Sequence, residues 1–122
     1  MTDQEKQTIG VDPDEKPDGS RVSREERLAH FIRMLSDDDE ISRWKAAEML
    51  GRMRDPEAVD SLIDTLWDDD YRVRLKVAWA LGQIGDIRAI PPLRQLYRME
   101  NEGVQDIITE AIEEINLRGS QR

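Results

Sequence analysis

Residues 37–67, DDDEISRWKAAEMLGRMRDPEAVDSLIDTLW, are followed without a gap by residues 68–98, DDDYRVRLKVAWALGQIGDIRAIPPLRQLYR. Eleven positions match at a constant offset of 31: Asp37/Asp68, Asp38/Asp69, Asp39/Asp70, Arg43/Arg74, Lys45/Lys76, Ala47/Ala78, Leu50/Leu81, Gly51/Gly82, Asp55/Asp86, Ala58/Ala89 and Leu62/Leu93. A repeat of roughly 20 to 50 residues marks a solenoid or related array, in which each unit has an apolar face that only its neighbours can bury. The same offset recovers weaker copies on both sides. Leu28, Phe31, Ile32 and Leu35 fall in register with Val59, Leu62, Ile63 and Leu66, and Val104, Ile108, Ala111, Ile112 and Ile115 with Val73, Val77, Ala80, Leu81 and Ile84.

The units read as helical hairpins. Leu28, Phe31, Ile32 and Leu35 are spaced i, i+3, i+4 and i+7, one stripe of a helix and not the alternation of a strand. Ser23 with Glu26 makes a capping box at the start of that helix, which is expected to run to about residue 36. Asp55-Pro56 and Asp86 start the equivalent helices of the next two units. The second helices are expected over residues 41–53, 71–84 and 103–117, with Gly85 placed for the left-handed conformation that ends a helix. Gly51 and Gly82 lie inside helices, where glycine costs about 1 kcal/mol relative to alanine, so close approach of the neighbouring hairpin is expected there. Pro91-Pro92 is expected to bend the fifth helix a turn after its start. The predicted fold is all-α: a short α-solenoid of three hairpins, six helices in all, with Leu50, Leu62, Val73, Val77, Leu81, Leu93 and Ile112 buried. Its repeats span about 23–54, 55–85 and 86–117 within a domain over residues 23–118. Residues 1–22 are rich in Asp, Glu, Gly and Pro and hold no aromatic residue, which predicts a disordered acidic tail.

Composition narrows the function. The 122 residues suit one small domain, and the net charge of −9 disfavours nucleic acid and anionic membrane as partners. Cysteine is absent, which removes thiolate chemistry and fits a cytoplasmic, reducing setting. No apolar run approaches the roughly 18 residues of a membrane span. His30 is the only histidine, and no phosphate-loop, nucleophile-elbow or H-E-x-x-H pattern occurs, so the chain is expected not to be an enzyme and to have no catalytic residue and no cofactor. The DDD turns lack the twelve-residue wrap and glycine of a calcium loop, so helix capping explains them better than a metal.

The strings Val73-Arg74, Ala78-Trp79-Ala80-Leu81-Gly82-Gln83-Ile84-Gly85-Asp86 and Ala89-Ile90-Pro91-Pro92-Leu93 resemble HEAT repeats, specifically the phycobilisome-lyase-type HEAT-like subclass. The resemblance covers about residues 23–117. It implies a ladder in which a turn Asp and an Arg six residues later link successive units, here Asp37 with Arg43 and Asp68 with Arg74. Met99 and Gln105 occupy those places in the third unit, so the ladder is expected to stop there.

The resemblance also implies a scaffold that holds a partner protein on the concave face made by the second helices. Residues of those helices outside the core stripe are the candidate partner-binding set: Trp44, Lys45, Glu48 and Arg52, then Arg72, Leu75, Lys76, Trp79 and Gln83, then Asp106, Ile107, Glu110 and Glu114. Trp44, Leu75 and Trp79 form the apolar centre, with Lys45, Arg52, Arg72 and Lys76 making one end basic and Glu110 and Glu114 making the other acidic. A monomer with one protein partner is expected. A bilin lyase or phycobiliprotein-associated factor, from the subclass name, and a nucleic-acid binder using the four basic residues are the alternatives.

Overall fold

The computed structural model describes residue 13 and residues 15–120, which form six α-helices and no strand. They are α1 (Arg24–Met34), α2 (Glu40–Met53), α3 (Val59–Thr65), α4 (Tyr71–Ile84), α5 (Ile90–Tyr97) and α6 (Glu102–Ser120). Single 3-10 turns, Pro56–Ala58 and Ile87–Ala89, lead into α3 and α5. Short polar side chains start most of these elements by accepting from first-turn amides that have no helical partner: Ser23 from Glu26, Asp39 from Ser42, Asp55 from Glu57, Asp70 from Arg72 and Asp86 from Arg88. Asn101 accepts from Val104 in the same way at the start of α6.

The prolines do not fall a turn into α5 as expected. Because the 3-10 turn precedes the helix, Pro91 and Pro92 fall in its first turn, where amides lack partners and the ring removes nothing. Gly85 ends α4 with φ 78°, the left-handed conformation anticipated for it. At the matching end of α2 the left-handed residue is Arg54, φ 54°, a conformation in which its Cβ is crowded.

The second helices form the spine, with α4 packed against α2 on one side and α6 on the other. Leu50, Leu62, Val73, Val77, Leu81 and Leu93 are fully buried. Ile112, also expected in the core, is only half-buried: α6 is the last described helix, and this side chain lines a surface cleft with Tyr97 and Thr109. Two long side chains tie helix ends together. Arg24 donates to the Met53 carbonyl at the end of α2 (2.8 Å), and Arg118 donates to the Gln83 carbonyl at the end of α4.

Of the expected tail, residues 1–12 and 14 lie outside the described residues. Residues 15–21 form a turn closed by an isolated bridge between Glu15 and Arg21, with Gly19 at φ 90°. Asp18 accepts from the Ser20 amide (2.9 Å) and hydroxyl (2.6 Å), and Lys16 reaches Glu26 of α1 (2.7 Å).

Candidate functional site

The exposed side of the spine is organised by the two seams at which α4 meets its neighbours. Glycine sets both. A Cβ on Gly51 would stand 2.5 Å from the Trp79 ring and 3.0 Å from the Ala80 Cα, and one on Gly82 would stand 2.8 Å from the Ala111 Cα. Only hydrogen fits at such contacts, which is the compensation for glycine inside a helix.

In the first seam the Trp79 indole lies on Gly51, half-buried. The Lys76 ammonium stands 4.8 Å from the Trp44 ring centroid and 4.9 Å from that of Trp79, and donates to Glu48 at 2.9 Å. An ammonium over an indole is attracted by the ring quadrupole, by about 0.5 to 2 kcal/mol according to desolvation. The Lys76 bond holds the Glu48 carboxyl below its ordinary value, helped by Arg52 at 3.1 Å. Trp44, Glu48, Lys76 and Trp79 are thus one interlocked cluster, drawn from positions that the sequence placed together only as a face.

Of the other basic residues, Arg52 and Arg72 are also engaged. Arg72 pairs with Asp70 at 2.9 Å, and its side chain and amide bonds hold the Asp70 carboxyl down to about 2. Arg72 also lines an apolar recess of about 320 Å³ with Ile41 and Trp44. Leu75 packs half-buried against the core, and Lys45 is exposed. The expected basic end is therefore largely neutralised. At the acidic end Glu110 makes no ion pair among the described residues, and Glu114 has only Arg118, at 3.8 Å. Asp106 is exposed, Ile107 packs against the core, and Gln83 accepts from Arg54 at 3.0 Å.

The Arg ladder runs on the turn side of the same helices. Arg43 donates from Nη1 to the carbonyls of Asp37 (2.8 Å) and Asp38 (3.0 Å), and from Nε and Nη2 to the Asp68 carboxylate of the next unit (2.7 and 3.1 Å). Its pairing with Asp68 raises the Arg43 pKa further. Asp37 supplies a carbonyl to its own unit's arginine, while its carboxylate accepts from the Asp39 amide (2.9 Å). Arg74 repeats the arrangement, donating to the Asp68 carbonyl (2.8 Å) and to the carboxylate of Glu100. The expectation that the ladder stops at the third unit holds for its arginine, since Gln105 stands there and donates to the Tyr97 carbonyl, and is corrected for its acceptor: Glu100, one place beyond Met99, supplies the carboxylate. At the strict offset Glu100 falls in register with Asp69, which Arg43 also reaches at 3.3 Å, so the acceptor lies one place along the turn from the position compared.

The remaining chemistry is sparse. His30 is exposed beside Phe31, with ring centroids 5.3 Å apart. Among the described residues no group of His, Cys, Asp or Glu is arranged to hold a metal ion, and no helix is long and apolar enough to cross a membrane.

No curated protein matches the chain. A family model for HEAT repeats matches residues 28–113, well over half of the sequence and the stretch that contains both seams and both ladder arginines. With the repeat, the paired helices and the glycine-set seams, that match establishes that the chain belongs to the HEAT repeats.

Proposed function

We propose that this chain is a non-catalytic scaffold that binds a protein partner on a concave face formed by α2, α4 and α6. HEAT repeats are generally protein-interaction modules, and this reading gives the chain that role through its own side chains. The observation that carries it is the pair of partly exposed indoles, Trp44 and Trp79, joined through Lys76, with Leu75 half-buried on the same helix as Trp79 and with Lys45, Glu48, Arg72 and, on α6, Glu110 and Glu114 on the second helices. Aromatic surface is enriched at interface centres, and polar groups around it form the rim. The neutralisation of Arg52, Arg72 and Lys76 by Glu48 and Asp70 favours a protein partner over nucleic acid, whose phosphates need uncompensated cations. We place the protein in the cytoplasm, which its lack of cysteine suits.

The test is a pull-down followed by affinity measurement with the purified partner. Trp44→Ala and Leu75→Ala are each expected to weaken binding by over about 1 kcal/mol while the chain stays folded by circular dichroism. Full affinity in the folded double variant refutes the surface.

A further inference from the structure

The two seams differ in what fills them. Where Trp79 covers the flank of Gly51, the residue in the same register on α6 is Glu110, and the flank of Gly82 is left open. The result is a cleft of about 280 Å³ between α4 and α6, lined by Trp79, Gly82, Ile107, Glu110, Glu114 and Leu117 among others. The first seam also contains its own cation, Lys76, held by two indoles and Glu48. In the second seam Ile107 stands in the register of Lys76, so the aromatic ring and the carboxylates are present and the cation is not. The nearby Arg118 does not fill the role, because its guanidinium donates to the Gln83 carbonyl and reaches Glu114 only at 3.8 Å.

We propose that the Gly82 cleft receives an arginine side chain from the protein partner. Its apolar lining takes the methylene stem, as Trp79, Ile107 and Leu117 provide, and the planar guanidinium stacks on the indole while donating to Glu110 and Glu114. Charge complementarity selects this occupant: Glu110 makes no ion pair among the described residues, and the chain as a whole carries −9. A neutral side chain would gain only the apolar contact, and an acidic one would be repelled by the carboxylates of the lining.

The inference rests on the interaction surface proposed above, and it is tested without the natural partner. A glycine-flanked peptide with one arginine is titrated into the full chain and followed by amide and indole NMR shifts. Saturable shifts centred on Gly82, Ile107, Glu110 and the Trp79 indole are expected, with a dissociation constant on the order of 1 mM. The same peptide with citrulline, neutral and of the same shape, should bind at least about tenfold more weakly, and Glu110→Gln should weaken the arginine peptide by roughly three- to tenfold. Glu57→Gln, which removes an exposed charge outside the cleft lining, should leave binding unchanged. Glu110→Trp should place an indole over Gly82 as Trp79 lies over Gly51 and abolish binding in a folded chain. Citrulline binding equal to arginine, equal losses in Glu110→Gln and Glu57→Gln, shifts centred elsewhere, or no saturable shift at about 10 mM peptide would each overturn the proposal. The two readings fail separately: a partner lost from Trp44→Ala but indifferent to Glu110→Gln and Glu110→Trp refutes the cleft alone, whereas a partner retained by the Trp44→Ala, Leu75→Ala chain refutes the surface.

Discussion

Over its glycine the seam between α2 and α4 is covered by an indole, and the seam between α4 and α6 is not. Both are set by a glycine meeting an alanine of the next helix, Gly51 with Ala80 and Gly82 with Ala111. Above that shared contact the first contains Trp44, Glu48, Lys76 and Trp79 locked together, and the second leaves a cleft rimmed by Glu110 and Glu114. The comparison separates two kinds of constraint. What recurs, the glycine, the small facing residue and the ladder arginine, is what the stack needs. What diverges lies at the surface, where the stack tolerates change and a partner can select it.

The largest effect that can test this division is in the core. Leu81→Ala should cost about 2 to 5 kcal/mol in chemical unfolding, because Leu81 is fully enclosed and leaves a cavity. Ile112→Ala, in the same register one unit later but half-buried, should cost clearly less, about 1 to 2 kcal/mol. Equal costs would show that the third unit is packed as tightly as the second.

The glycines come next. Gly82→Ala should destabilise by about 1 to 3 kcal/mol although alanine is the better helix former, since the new Cβ meets the Ala111 backbone. Gly51→Ala should cost less, because its closest obstacle is the Trp79 ring, which can shift where a backbone cannot. A gain in stability at Gly82 would break the account of the seams.

The ladder arginines should behave alike in spite of their different acceptors. Arg43→Ala leaves Asp68 with only the Asp70 amide as donor, and Arg74→Ala leaves Glu100 without its arginine, each a nearly buried carboxylate, at a cost of about 1 to 3 kcal/mol against about 0 to 1 for an exposed pair. Lysine at either place should recover only part of this, having no fork. A negligible effect at Arg74 would show that Glu100 is no substitute for the missing aspartate.

The first seam should also be the acid-sensitive one. Glu48 is held below its ordinary value by Lys76, so its contribution is complete above the unfolded value near 4.5 and is lost as the pH falls through that value toward the lower folded one. Melting temperatures taken from pH 6 down to pH 3 should therefore fall more steeply for the parent chain than for Glu48→Gln. Parallel curves would remove Glu48 from the seam's energetics.

The smallest expected effect is at the helix ends. Arg54→Gly relieves a left-handed arginine and loses only an exposed bond to Gln83, so stability should rise by about 0.5 kcal/mol, whereas Gly85→Ala should lower it by about 1 kcal/mol.

The sequence by itself determined the period, the helical character of each unit and the positions at which helices approach most closely. Those features follow from local chemistry: the 3.6-residue stripe, capping side chains, and glycine where a Cβ cannot fit. Gly51, Gly82 and Gly85 could be understood before any neighbour was known, because the cost of glycine in a helix demands a reason wherever it occurs. Pairings between units could not be understood that way. That Lys76 serves Glu48 and two indoles, that Glu100 replaces an aspartate one place away, and that Glu110 opens the seam that Trp79 closes all depend on side-chain reach across helices about one repeat apart in sequence. A fixed offset records which positions correspond. Only the packed structure decides which atoms meet, because length, rotamer and the space left by the neighbouring helix act together there.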